Sequence, residues 1–175
     1  MHHHMSTQDW TAGGNSSSST TPICTPIIAP NLVLITLLTA SVLATDAKVY
    51  VAVYNTIHEL DPNHWAIYID DPATGPTIHQ VYDDGTKYYV PEVVEKKPDS
   101  SAKLNHQCLV ATLAPGKVAA ARSLFQAHKC NNVSGKWNCQ AWVEEALRAA
   151  DSAGLLHFDS HAEKCLKYTR QHWQR

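Results

Sequence analysis

From Lys48 onward the apolar positions first recur at the short period of β-strands and later at helical spacing. "KVYVAVYN" (48–55) is β-branched and aromatic and predicts a buried strand. "HWAIYID" (64–70) predicts a second, with His64, Ala66 and Tyr68 on one face and Trp65, Ile67 and Ile69 on the other. The cluster "DPATGP" predicts a turn. "TIHQVYDDG" (77–85) predicts a third strand on which Thr77, His79 and Val81 share a face, "TKYYV" a short fourth, and "LNHQCLVATLA" (104–114) a last one after the polar loop "VEKKPDSSAK".

The period then lengthens. In "PGKVAAARSLFQAHK" (115–129) Pro115 suits a first helical turn, and Val118, Ala121, Leu124 and Phe125 form a stripe. "NNVSG" breaks the chain. Trp137 to Ala150 predicts a second helix with Trp142, Val143, Ala146 and Leu147 inward, stopped near Gly154. "DSHAEKCLKYTRQHWQR" (159–175) predicts a third, with Asp159 or Ser160 as its N-cap. Strands followed by helices predict a single α+β domain over 48–175, a small antiparallel sheet packed on helices. A stretch of this length can bury its own core.

Residues 1–47 have another character. They read as a disordered polar leader, Ser/Thr-rich and without Lys or Arg up to residue 22, followed by an apolar segment. No charge occurs between Asp9 and Asp46, and the apolar run Leu32–Ala44 is short for a membrane span. With the small residues of "SVLATDA" it resembles a secretory signal, but it starts late and lacks a positive flank. Two readings of 27–44 stand level: a signal or membrane anchor, or else a helix packed on the domain or a misplaced start codon. Localisation therefore stays open between secreted, membrane-associated through 27–44, and cytoplasmic.

Composition narrows the partners. The 175 residues carry a net charge of −2, which gives no electrostatic footprint for nucleic acid. A monomer is expected, with no cofactor and no metal. The five cysteines form no C-x-x-C pair, and His157 and His161, four apart as two metal ligands would be, have no Glu base between them. One or two disulfides among the five cysteines are open, with the pairing unspecified, and Cys165 reads as a core residue. "NVS" (132–134) and "NSS" (15–17) match glycosylation sequons.

Cys139, in "GKWNCQAWVEEAL", is the candidate for chemistry. It falls in the first turn of the second predicted helix, where unpaired N–H groups and the helix dipole favour a thiolate and lower its pKa. Its plain alternative is a small apolar filler of a core helix. A nucleophilic Cys needs a base, and that base a polar group to orient it. His64 and His79 lie on neighbouring predicted strands, with their midpoint between Asp71 and Pro72. That spacing predicts that they face one another, or nearly so.

"NHWAIYI", "TIHQVY" and "WNCQAWV" together resemble the lecithin:retinol acyltransferase-like branch of the circularly permuted papain-like fold, which has the order His, His, Cys. The stretch 48–155 is also similar to a set of small, mainly fungal proteins to which no activity is attached; its "VYVAVY", "HWAIYI" and "WNCQAWVEEAL" carry that likeness. The first resemblance implies a thiol hydrolase or acyltransferase working through a thioester. Cys139 would be the nucleophile, His64 the base and His79 the group that orients it. Backbone N–H groups at the Cys139 helix start would receive the oxyanion, and Trp137 and Trp142 would wall the site, with core packing an equal alternative for Trp142. A small amide, ester or peptide would be the substrate. The alternative is a non-catalytic binding or secreted effector-like module on the same fold.

Overall fold

The computed structural model of the chain describes residues 45–56 and 62–173. The polar leader, the apolar segment 27–44, Cys24, His58 and the sequon at 15–17 lie outside them. Among the described residues no helix is long and apolar enough to cross a membrane.

The strand predicted at 48–55 is β1, Ala47–Tyr54, and the one at 64–70 is β2, His64–Asp70. Their alternation does what the pattern requires. Val49, Val51 and Val53 of β1, with Trp65, Ile67 and Ile69 of β2, join the main core. Ala52, Ala66 and Tyr68 turn to the other side, where a smaller cluster forms with Ile78. The third predicted strand is interrupted. β3 holds Thr77–His79, and Tyr82–Asp83 breaks away as β4 to pair with β5, Tyr88–Tyr89, in a separate two-stranded ribbon. β6, Leu104–Leu113, lies along β1. The main sheet is antiparallel with strand order β3-β2-β1-β6.

Three helices complete the α+β fold: α1, Val118–Ala127, after a 3₁₀ turn at Pro115–Lys117; α2, Cys139–Ser152; and α3, Ser160–Trp173. Their apolar stripes pack on the Val49/Trp65 face of the sheet, with Phe125, Trp142 and Leu147 fully buried there. Both ends of α2 and the start of α3 have local causes. Asn138 caps α2, its Oδ1 accepting from the N–H groups of Gln140 (3.0 Å) and Ala141 (3.2 Å), which sets the start at Cys139 rather than Trp137. Gly154 ends it, its φ of 66° letting Leu155 N–H reach back to the Ala150 carbonyl. Asp159, not Ser160, caps α3 by accepting from His161 and Ala162.

Cys108 of β6 and Cys165 of α3 are joined by a disulfide across a sequence separation of 57. Cys165, expected as core, is thus a cross-link between the sheet's edge strand and the last helix. Cys130 and Cys139 are free thiols.

Candidate functional site

The hairpin between β2 and β3 decides what stands beside His64. Ile69 pairs with Thr77 and Ile67 with His79, so the hairpin is centred on Ala73 rather than between Asp71 and Pro72. Asp71 sets this turn. Its carboxylate accepts from Ala73 and Thr74 N–H, its carbonyl accepts from Gly75 N–H, and Gly75 adopts a φ of 90°. The register therefore differs by three residues from the one that would set His79 opposite His64. An odd offset reverses the face. His64 shares its side with Ala66 and Tyr68, while His79 points into the helix-side core and meets the edge of Phe125 at 5.6 Å.

The expected His64–His79 partnership is thereby corrected. His79 is 1% exposed, and among the described residues neither ring nitrogen has a hydrogen-bond partner. Burial foremost, and the nearby Arg122 cation second, push its pKa down to about 4. It is a neutral, enclosed ring and orients nothing.

Gln80 takes the place beside His64. The buried Gln80 amide nitrogen donates to the Tyr82 hydroxyl at 2.9 Å, and its Oε1 lies 2.9 Å from His64 Nε2. With the amide oriented in this way, neutral His64 carries its proton on Nε2 and donates it to Gln80. Nδ1, the nitrogen nearer the main chain, keeps its lone pair. The Tyr82 ring stacks on the imidazole at 5.8 Å and Tyr54 tilts over it at 6.1 Å. Burial lowers the His64 pKa, partly offset by the Gln80 bond, which favours the charged form. At neutral pH the ring is uncharged, with the Nδ1 lone pair free to accept a proton. The sequence contained the signal for Gln80, since it follows His79 and therefore takes the opposite face of the same strand run; only the register was needed to read it.

Cys139 opens α2 with its side chain buried. The thiol donates to the Asn63 carbonyl at 3.9 Å, and the Trp65 N–H donates to the sulfur, so Sγ packs on the peptide groups either side of His64. The Gln140 side chain donates to the same Asn63 carbonyl at 3.2 Å. Here a second expectation is corrected. Burial raises the thiol pKa above its ordinary value, and the N–H groups of Trp65, Gln140 and Cys139, which pull it down, do not overcome it. The resting sulfur is a thiol.

Among the described residues no hydrogen bond joins Cys139 Sγ to an imidazole. The sulfur belongs to the helix-side core, whereas the His64 ring turns to the opposite face at the end of β2. The Asn138 cap also occupies the Gln140 and Ala141 N–H groups, leaving the Cys139 N–H as the first-turn donor that the cap does not use. Trp142 is core, its indole N–H bonded to the His128 carbonyl, and Trp137 packs against Tyr88 with its N–H on the Glu145 carboxylate. Neither tryptophan lines the His64 side.

That side opens into a cavity of about 700 Å³, floored by His64, Gln80, Tyr54 and Ile78. Its size is that of a small-molecule site. Among the described residues no group of three or more His, Cys, Asp or Glu is placed to hold a metal ion. Comparison with protein-family models, curated proteins and solved structures finds no match to this chain.

Proposed function

We propose that the protein is a thiol hydrolase or acyltransferase in which Cys139 is the nucleophile, His64 the general base and Gln80 the positioning residue. One observation carries this reading. The Tyr82–Gln80–His64 chain fixes the imidazole tautomer with Nδ1 as acceptor, on the residue whose flanking peptide groups hold the Cys139 sulfur.

Because the resting pair is thiol and neutral imidazole, the base acts during attack rather than before it. During attack Sγ turns from the Asn63 carbonyl toward His64, the first residue of β2. As Sγ bonds to the substrate carbonyl carbon, the thiol proton passes to Nδ1, and the Cys139 N–H meets the oxyanion. The imidazolium returns that proton to the departing amine or alcohol as its bond to carbon breaks, leaving a thioester. Water or an acceptor, deprotonated by His64, then attacks the thioester and the thiol is restored.

The experiment is acylation of the full chain by p-nitrophenyl acetate, followed by intact mass and peptide mapping. The expected result is one acetyl group on Cys139, absent in Cys139→Ala and slowed by about a hundredfold or more in His64→Ala, the scale of general-base assistance. A rate indifferent to His64, or acylation of Cys130 instead, refutes the proposal. A second reading, a binding module on the same fold, is favoured by the burial of the sulfur away from the ring. It predicts that ligands bind the cavity while Cys139 takes no acyl group.

A further inference from the structure

We infer that the cavity beside His64 receives an anionic end of the substrate, so that the protein's class of substrate is an amide or ester bearing a carboxylate close to an apolar or aromatic group. This rests on the thiol-transferase reading for its chemistry, though not for its binding. Three lysines, Lys96, Lys97 and Lys103, line the cavity, against a single acidic side chain, Asp83, among the described lining residues. The chain as a whole carries −2, so this is a local reversal of sign and not a reflection of overall charge.

The lysines stand on a fixed frame. Val94 and Ile78 exchange both main-chain hydrogen bonds, at 2.8 and 3.2 Å, which ties the segment leading to Lys96 and Lys97 to β3. Lys97 precedes the 3₁₀ turn Pro98–Ser100 and its carbonyl accepts from Ser100. Lys103 is held from both sides, its carbonyl accepting from Asn55 N–H at 2.9 Å and its N–H donating to Ser101 Oγ at 3.2 Å. Among the described residues no carboxylate lies within ion-pair distance of any of the three ammonium groups. A site with three lysines that have no ion-pair partner among the described residues, and with Tyr54, Ile78, Val94 and Pro98 in its lining, has the features that select a small amphipathic anion: apolar walls for the body, point charges for the carboxylate.

The test is calorimetric titration of full-length Cys139→Ala with N-acetyl-L-phenylalanine and, separately, with its uncharged amide. The carboxylate should bind about tenfold or more tightly at low salt, and the preference should shrink as salt screens it. In Lys96→Ala/Lys97→Ala/Lys103→Ala, three surface changes whose folding is checked by thermal melting, the two ligands should bind alike. Equal binding of both ligands to the parent, binding of neither, or a carboxylate preference that survives the triple substitution overturns the inference. The two proposals fail separately. A carboxylate preference in a protein that never acylates at Cys139 removes the enzyme and leaves the site, and acylation without that preference does the reverse.

Discussion

His79 offers the sharpest stability prediction. It is a fully enclosed imidazole with two unpartnered nitrogens, against Phe125 and near Arg122. Leucine fills much of the same space without polar atoms, so His79→Leu should be neutral or stabilising by about 1–2 kcal/mol at pH 7.5, the scale of an unsatisfied buried polar group. In acid the gap should widen. The folded ring holds its proton only below about pH 4, whereas the unfolded ring takes it near the ordinary 6.5. Between those values the unfolded state binds more protons, so stability is complete above 6.5 and is lost as pH falls toward 4. The separation of the two pKa values sets the loss at about 3 kcal/mol, most of it present by pH 4.5. His64, whose pKa burial also lowers, contributes in the same direction in both proteins and cancels in their difference. Urea unfolding of wild type and His79→Leu at pH 7.5 and 4.5 measures that difference directly. A gap unchanged between the two pH values would show that His79 is hydrated or paired, and the description of its surroundings would be wrong.

Further predictions concern the frame of the site. Reducing the Cys108–Cys165 disulfide, or replacing both cysteines by alanine, should lower stability by about 4 kcal/mol on loop entropy for its sequence separation of 57; thermal melts with and without a phosphine reductant check it. Asn138→Ala should cost about 1 kcal/mol by leaving two first-turn N–H groups without their acceptor. Denaturant titration checks that value, and no change would mean that the cap is not what starts α2 at Cys139.

How much of this was legible in the sequence depends on range. The faces of β1 and β2 and the stripe of α2 follow from local rules, and their residues sit where alternation and 3.6-residue spacing put them, whereas α1 and α2 begin later than the pattern predicts, at Val118 and Cys139. The partner of His64 depended on a hairpin centre. One carboxylate, Asp71, and one left-handed glycine, Gly75, moved that centre and sent His79 to the other face. The thiol's acidity depended on a contest between a helix start, visible in "WNCQ", and burial under tertiary packing, which no local pattern reports. The disulfide joins β6 to α3, whose proximity appears only once both lie on the sheet. Gln80 was hidden by the same register that misplaced His79.

The central claim is that His64, held by Gln80, takes the proton of the Cys139 thiol. The pH dependence of Cys139 acylation by p-nitrophenyl acetate, measured in wild type and in Gln80→Leu, tests it most directly. The wild-type rate should fall on an acid limb whose midpoint lies below the ordinary imidazole value of 6.5. Because the Gln80 bond raises the His64 pKa, its loss should move that limb to still lower pH and reduce the plateau. An acid limb at the same pH in both proteins, or a rate that simply tracks ionisation of an unassisted thiol, would contradict the account.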